Sequence, residues 1–133
     1  MDPNRLTAIP IFSHLSDEEA KRLAAFATET SIRAGELLVR EGEFSTELIA
    51  IEEGTAEVLR GGTTIATLRA GDVVGEIGLL RREPRNADVV ATSPMRVFKL
   101  THWEIRRMSA DTLSRIEEIV HKRRQEGLAD PAH

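Results

Sequence analysis

Gly75-Glu76-Ile77-Gly78-Leu79-Leu80-Arg81-Arg82-Glu83-Pro84-Arg85-Asn86-Ala87 is the stretch on which the reading of this chain turns. It holds two glycines with a carboxylate between them, a short apolar run sized for one helical turn, and an arginine directly after a proline. Glycine lets backbone come close to a ligand. The first turn of a helix presents N–H groups without intrahelical partners and a partial positive charge, so the amides following Gly75 and Glu76 suit an anion such as phosphate. The guanidinium of Arg85, planar and permanently charged, is able to grip two phosphate oxygens at once. Glu76 is ionised at neutral pH and is then an acceptor only, so it pairs with a hydroxyl or amide donor, and a ribose 2′-OH fits. Plainer readings stand beside these. Arg85 taken alone is an exposed loop arginine, Glu76 a cap for the next turn, Gly75 and Gly78 conformational hinges, and Asn86 either points into a pocket or pairs with local backbone.

On both sides of this stretch the chain has the texture of short strands. β-branched or aliphatic runs occupy 36–40, 47–51, 55–59, 64–68, 87–91 and 95–100, separated by turn signals at Gly35, Gly42, Gly54, Gly61-Gly62 and Gly71. Closely spaced strands of this kind predict an antiparallel sandwich or small barrel. Gly61-Gly62 between two apolar pairs is a two-residue hairpin loop. The 75–87 segment breaks that rhythm. Among tight strand connections, a longer loop with its own helical turn is the segment expected to carry function. Arg81, Arg82 and Arg85 against Glu83 make it locally basic.

Helical periodicity flanks the strands. Ile9-Pro10-Ile11-Phe12 reads as a packed turn, and Ser16-Asp17-Glu18-Glu19 as a capping box that opens a helix running to about Ala27. Leu23, Phe26 and Ala27 give that helix one apolar face. After Leu100, residues 102–108 read as one short helix. Ser109 or Asp111 caps a second, in which Leu113, Ile116, Ile119 and Val120 repeat at helical spacing to about Arg124. Basic residues at its end suit the helix dipole, and Gly127 stops it.

The 75–87 segment resembles the phosphate-binding cassette of cyclic nucleotide-binding domains, the family that includes the catabolite activator protein and protein kinase A regulatory subunits. That pattern runs roughly F-G-E-[LI]-[AGS]-L-[LM], a few variable residues, then P-R-[AST]-A. Gly75, Glu76, Ile77, Gly78, Leu79, Leu80, Pro84, Arg85 and Ala87 match it. Asn86 departs from it, where Ser, Thr or Ala is usual, and that departure bears on which nucleotide is held. The resemblance implies a jelly-roll-like β-barrel with an N-terminal helix, a short cassette helix and C-terminal lid helices. It implies ligand contacts from Gly75, Glu76, Ile77, Gly78, Arg85, Asn86 and Ala87, with Glu76 on the ribose hydroxyl and Arg85 on the cyclic phosphate. Expected boundaries are a helical segment over 1–28, the barrel over 29–100, C-terminal helices over 101–126 and a tail over 127–133, all in one domain. In this family the last helix lids the nucleotide and is used for homodimer contacts.

Composition narrows the remaining classes. The chain of 133 residues is 41% hydrophobic and 30% charged, as expected of one globular domain. A net charge of −4 argues against general nucleic-acid affinity. Without cysteine there are no disulfides, thiolate metal sites or thiol nucleophiles. His14, His102, His121 and His133 are too scattered for a metal site, the basic Lys122 to Arg124 reads as a solvated helix end, and Trp103 and Met108 read as packing residues. No signal-peptide pattern or membrane-length apolar run is present, so a cytoplasmic location is expected. The expectation is a non-enzymatic sensor of cAMP, or cGMP, with no cofactor. Ligand would neutralise Arg85, organise the cassette and draw the C-terminal helix in, informing a partner or attached effector domain. The alternative is a degenerate barrel serving as a structural or dimerisation module. Hydrolysis of a cyclic phosphate would require an activated nucleophile or a metal pair, and the sequence offers neither.

Overall fold

The computed structural model describes residues 1–44, 47–75 and 85–125. The chain opens with helix α1 (Pro3–Thr7), a 3-10 turn (Pro10–Phe12) and helix α2 (Asp17–Phe26). Eight strands follow: β1 (Thr28–Ile32), β2 (Leu37–Val39), β3 (Glu47–Glu53), β4 (Ala56–Arg60), β5 (Thr63–Leu68), β6 (Val73–Val74), β7 (Asp88–Ala91) and β8 (Met95–Thr101). Helices α3 (His102–Arg106) and α4 (Ala110–Gln125) close the described chain. The strands form two antiparallel four-stranded sheets, in the orders β1-β8-β3-β6 and β2-β7-β4-β5. The expected jelly-roll fold is therefore present, as two sheets sharing a core and not as a closed barrel.

Two apolar layers result from strand alternation, which sends successive side chains to opposite faces. In β3 and β8, Ile49, Ile51, Met95 and Val97 face the second sheet, where they meet Val58, Val89 and Ala91. Leu48, Ala50, Phe98 and Leu100 face the other way, onto Leu6, Ile11, Phe12 and Leu23 of the N-terminal segment and Ile105 and Ile116 of the C-terminal helices. The central sheet is thus apolar on both faces and the helices complete the molecule around it. Burying a side chain such as Phe12 or Phe98 contributes roughly 1.5–3 kcal/mol over leaving it in water.

Local chemistry sets the element ends. Ser16 caps α2 by accepting from the Glu19 amide at 3.2 Å, and Glu19 returns the contact to the Ser16 amide at 3.2 Å, so the capping box forms as expected. Of the two candidates for α4, Ser109 is the cap, its Oγ accepting from the Thr112 amide at 3.2 Å. The Thr112 hydroxyl in turn donates to the Glu19 carboxylate, which ties the first turn of α4 to the start of α2. Gly61 and Gly62 join β4 to β5 with φ of 58° and 82°, the left-handed values that a two-residue hairpin of this type demands.

Some expectations need correction. Phe26 does not join the apolar face of α2 and is 53% exposed, because Ala20, Leu23 and Ala24 make the buried stripe instead. Trp103 does not pack and is 65% exposed on α3, whereas Met108 is buried in the helical layer. Helix α1 falls within the helical segment expected over 1–28, whereas strands β1 and β6 have no counterpart in the sequence reading. The cassette helix, Gly127 and the 127–133 tail lie outside the described residues.

Arg5 of α1 fastens the N-terminal layer to the sheet. Its Nε and Nη2 donate to the two carboxylate oxygens of Glu52 on β3, each at 2.6 Å, and Nη2 also reaches Glu29 of β1 at 2.5 Å. Arg5's hydrogen bonds hold the Glu52 carboxyl below its usual value of 4.5, against a smaller opposing effect of burial. A carboxyl depressed by folding adds stability that is present above its unfolded value and is lost as pH falls through its folded one. Thermal unfolding followed at stepped pH is expected to show the melting temperature falling below about pH 4.5, with a shallower fall in Glu52→Gln. Parallel curves for the two proteins would show that this pair does not contribute to acid sensitivity.

Candidate functional site

The ends of β3, β6, β7 and β8 converge on one edge of the molecule. Val74 of β6 is paired with Ile49, and Glu47 of β3 with Thr101 of β8, so Gly75, Glu47 and His102 emerge side by side at the same end of the first sheet. Arg85 approaches from the second sheet, just ahead of β7. Its backbone is clamped by the turn after β2: the Gly42 amide donates to the Arg85 carbonyl at 2.7 Å and the Arg85 amide to the Glu43 carbonyl at 2.8 Å. The Glu41 amide donates to the Asp88 carboxylate at 2.7 Å, and Arg60 Nε to the Asn86 carbonyl at 3.1 Å. These contacts extend the β2–β7 and β4–β7 pairings and fix where the arginine starts.

From that anchor the Arg85 side chain turns inward. It is only 4% exposed. Nη2 donates to the Glu47 carbonyl at 2.6 Å, and the guanidinium lies across Gly75. A Cβ at that glycine would stand 2.4 Å from Nη1 and 2.8 Å from the Glu47 carbonyl oxygen, which shows how close the approach is. Gly75 has a φ of 92°, so both motives for glycine, a left-handed turn and a near neighbour, hold at this position. The two ends of the 75–87 segment therefore meet through one guanidinium.

His102, the first residue of α3, completes the cluster. It is 6% exposed, and its imidazole is hydrogen-bonded to the backbone of Gly75. Burial first, and then the Arg85 cation, push its imidazole down to about 4, while the bond to Gly75 pulls weakly the other way. The ring is thus neutral at physiological pH, chiefly because it is buried. A buried cation beside closely packed backbone, in a low-dielectric setting, suits an anionic group.

Of the residues expected in the site, Gly75 and Arg85 are brought into contact. Asn86 is half-buried with its carbonyl held by Arg60. Ala87 is fully buried in the layer between the sheets, so its part is to seat the segment on the core. Glu76, Ile77 and Gly78 lie outside the described residues. The sequence reading missed Glu47 and His102. A backbone carbonyl leaves no mark in sequence, and the histidine arrives through the β3–β8 register, which joins residues far apart in the chain. Among the described residues no three His, Asp or Glu side chains group so as to hold a metal ion.

Two antiparallel sheets in jelly-roll order with helices on one face, and a buried arginine between β6 and β7, define the architectural class of a cyclic nucleotide-binding domain. The family model for the cyclic nucleotide-binding domain matches residues 29–112, and the chain belongs to that family. Among curated proteins it is 33% identical over 115 residues to a cAMP-dependent protein kinase regulatory subunit of Yarrowia lipolytica, covering 85% of this chain and 31% of the relative. The chain spans less than a third of the length of the curated cAMP-dependent protein kinase regulatory subunits that it matches. Among solved structures it resembles the regulatory domain of Toxoplasma gondii PKA with cAMP, at 23% identity and a TM-score of 0.79, covering 93% of this chain and 48% of that one. It also resembles a triple variant of the regulatory subunit of a cAMP-independent protein kinase A from Trypanosoma brucei, bound to cAMP, at 28% identity and a TM-score of 0.77, covering 92% and 45%. The sequence resemblance and the jelly-roll expectation are thereby confirmed. No helix among the described residues is long and apolar enough to cross a membrane.

Proposed function

We propose that this chain is a non-catalytic regulatory domain of the cytoplasm that binds cAMP and passes occupancy through its C-terminal helices to a partner or an attached effector domain. The observation that carries the reading is the inward-turned guanidinium of Arg85 laid over Gly75 at the shared end of both sheets. In this reading Arg85 takes the cyclic phosphate, the amides after Gly75 add to its anion hole, and Glu76 holds the ribose 2′-OH. Ile77, Gly78 and Asn86 complete the lining, and Ala87 seats the segment on the core. The relatives' names support cAMP as the ligand. The Trypanosoma protein is described as cAMP-independent, and its form described with cAMP carries an introduced arginine.

Contacts between the site and the helices support transmission. His102 joins the first residue of the cassette to the head of α3, and α4 is attached to α2 through Thr112 and Glu19. A ligand that binds one arrangement of these helices better than another shifts their populations by its differential affinity. The test is thermal unfolding with and without nucleotide. A ligand at a hundred times its dissociation constant adds about 2.7 kcal/mol of stability, so cAMP is expected to raise the melting temperature by several degrees, with cGMP as the comparison. Absence of a shift with either nucleotide, confirmed by calorimetric titration, would overturn the reading in favour of a structural or dimerisation module.

A further inference from the structure

The turn that joins α3 to α4 carries a pattern that the proposed function leaves unused: Arg106-Arg107-Met108-Ser109. No other serine or threonine of the chain has arginine at both the third and the second position before it. Serine kinases that take basic substrates read such a pair with acidic grooves, by charge complementarity. Arg106, Arg107 and Ser109 are all exposed, while Met108 between them is packed in the helical layer. Arg106 ends α3, a helix of five residues whose N-cap Thr101 makes no side-chain cap bond. A helix that short has little stability of its own, so unwinding its last turn presents the arginines and the serine in extended form.

Ser109 also stands where an added charge would be felt. Its Oγ accepts from the Thr112 amide at 3.2 Å and donates to the Thr112 hydroxyl at 2.9 Å. The buried Thr112 hydroxyl donates onward to the Glu19 carboxylate, and that bond is the main cause holding the Glu19 carboxyl below its usual range. Glu19 itself is fixed to α2 by its return bond to the Ser16 amide. A single hydroxyl proton on Thr112 thus carries this tie between α2 and α4.

We propose that Ser109 is a phosphorylation site for an arginine-directed serine kinase, and that its phosphate releases the tie between Thr112 and Glu19. In the transfer, Ser109 Oγ bonds to the γ-phosphorus of ATP and the bond from that phosphorus to the oxygen bridging to the β-phosphate breaks. ADP leaves, and the hydroxyl proton passes to a base of the kinase and on to solvent. The resulting ester oxygen has no proton to give Thr112, and the phosphate brings roughly −1.5 to −2 charge at neutral pH. Two anions then compete for the one proton of the Thr112 hydroxyl, and the phosphate repels the Glu19 carboxylate across it. The phosphate stays with α4, whose first-turn amides favour it together with Arg106 and Arg107, while Glu19 stays with α2. The inference is independent of what Arg85 binds.

The native full chain, incubated with magnesium ATP and the catalytic subunit of an arginine-directed serine kinase, tests the site by tandem mass spectrometry. One phosphate on Ser109 is expected, absent from Ser109→Ala. It should form at least about tenfold more slowly when Arg106→Ala and Arg107→Ala are combined, as loss of the charge contacts implies. No phosphate, phosphate on other residues alone, or phosphate on Ser109 only after the chain is heat-unfolded overturns the site. The release is tested by thermal unfolding, where the phosphorylated wild type should melt a few degrees below the unmodified one. In Glu19→Gln, which removes the carboxylate charge but keeps an acceptor for Thr112, that drop should largely vanish. Because this variant also alters the α2 capping box, amide exchange in the wild type supplies a second measure: on phosphorylation the first turn of α2 should exchange faster and that of α4 more slowly. Equal drops in the two proteins, no drop in the wild type, or unchanged exchange in α2 overturns the release.

Discussion

Replacing Arg85 with Ala is expected to weaken cAMP binding on the order of ten- to a hundredfold or more. The side chain is buried, its backbone is fixed by the Gly42–Glu43 turn, and its guanidinium is held in place by the Glu47 carbonyl. Little ordering remains to be done when an anion arrives, which is why the loss on truncation should be large. Hydrogen bonds to a charged group are worth about 1.5–3 kcal/mol each, and about 1.4 kcal/mol is a factor of ten in affinity. The same truncation removes the donor from the Glu47 carbonyl and opens a hole beside Gly75, so some stability goes as well, about 1–3 kcal/mol for a buried acceptor left without its partner. Titrations must therefore be run well below the variant's own melting temperature. Arg85→Lys separates charge from shape: a point charge without the planar fork should recover part of the affinity and not all of it. Equal cAMP affinity in wild type and Arg85→Ala would remove the arginine from the site.

That arginine was legible in the sequence because its neighbours carry the same information. Gly75, Glu76, Pro84 and Ala87 stand at family spacing, and Gly61-Gly62 and the Ser16–Glu19 box each state their geometry through residue type. Strand β1 was not legible, because Thr28-Glu29-Thr30-Ser31-Ile32 is a mostly exposed edge strand held to β8 by backbone pairing. The two residues of β6 are too few to show any period. Phe26 shows the limit of periodicity itself, since the helical spacing to Leu23 is correct and the buried face runs past it through Ala20, Leu23, Ala24 and the half-buried Ala27. In the site, what escaped was whatever depends on register between distant strands. Nothing in Thr101-His102 announces that it will sit beside Glu47, and Glu47 contributes a carbonyl that any residue possesses.

Gly75→Ala offers the sharper test of how the corner is built. The position has a φ of 92°, where an L-residue with a Cβ pays roughly 1–2 kcal/mol. The added methyl would also stand 2.4 Å from Arg85 Nη1 and 2.8 Å from the Glu47 carbonyl oxygen. A guanidinium at the end of a long side chain is able to move aside, but the carbonyl belongs to β3, paired with β8, and is not. The arginine therefore has to leave its seat, and the fit of cation, carbonyl and ring around Gly75 goes with it. The expected outcome is a stability loss of about 2 kcal/mol or more together with a drop in cAMP affinity comparable to that of Arg85→Ala. Gly35→Ala supplies the control. Its φ of 89° carries the same backbone strain, but no atom lies within 4 Å of its added Cβ. It should lose only the conformational part of the stability and bind cAMP as the wild type does. Were the two substitutions to cost the same and leave binding alike, Gly75 would be a turn residue only, and the contact between the two ends of the cassette would play no part in holding the ligand.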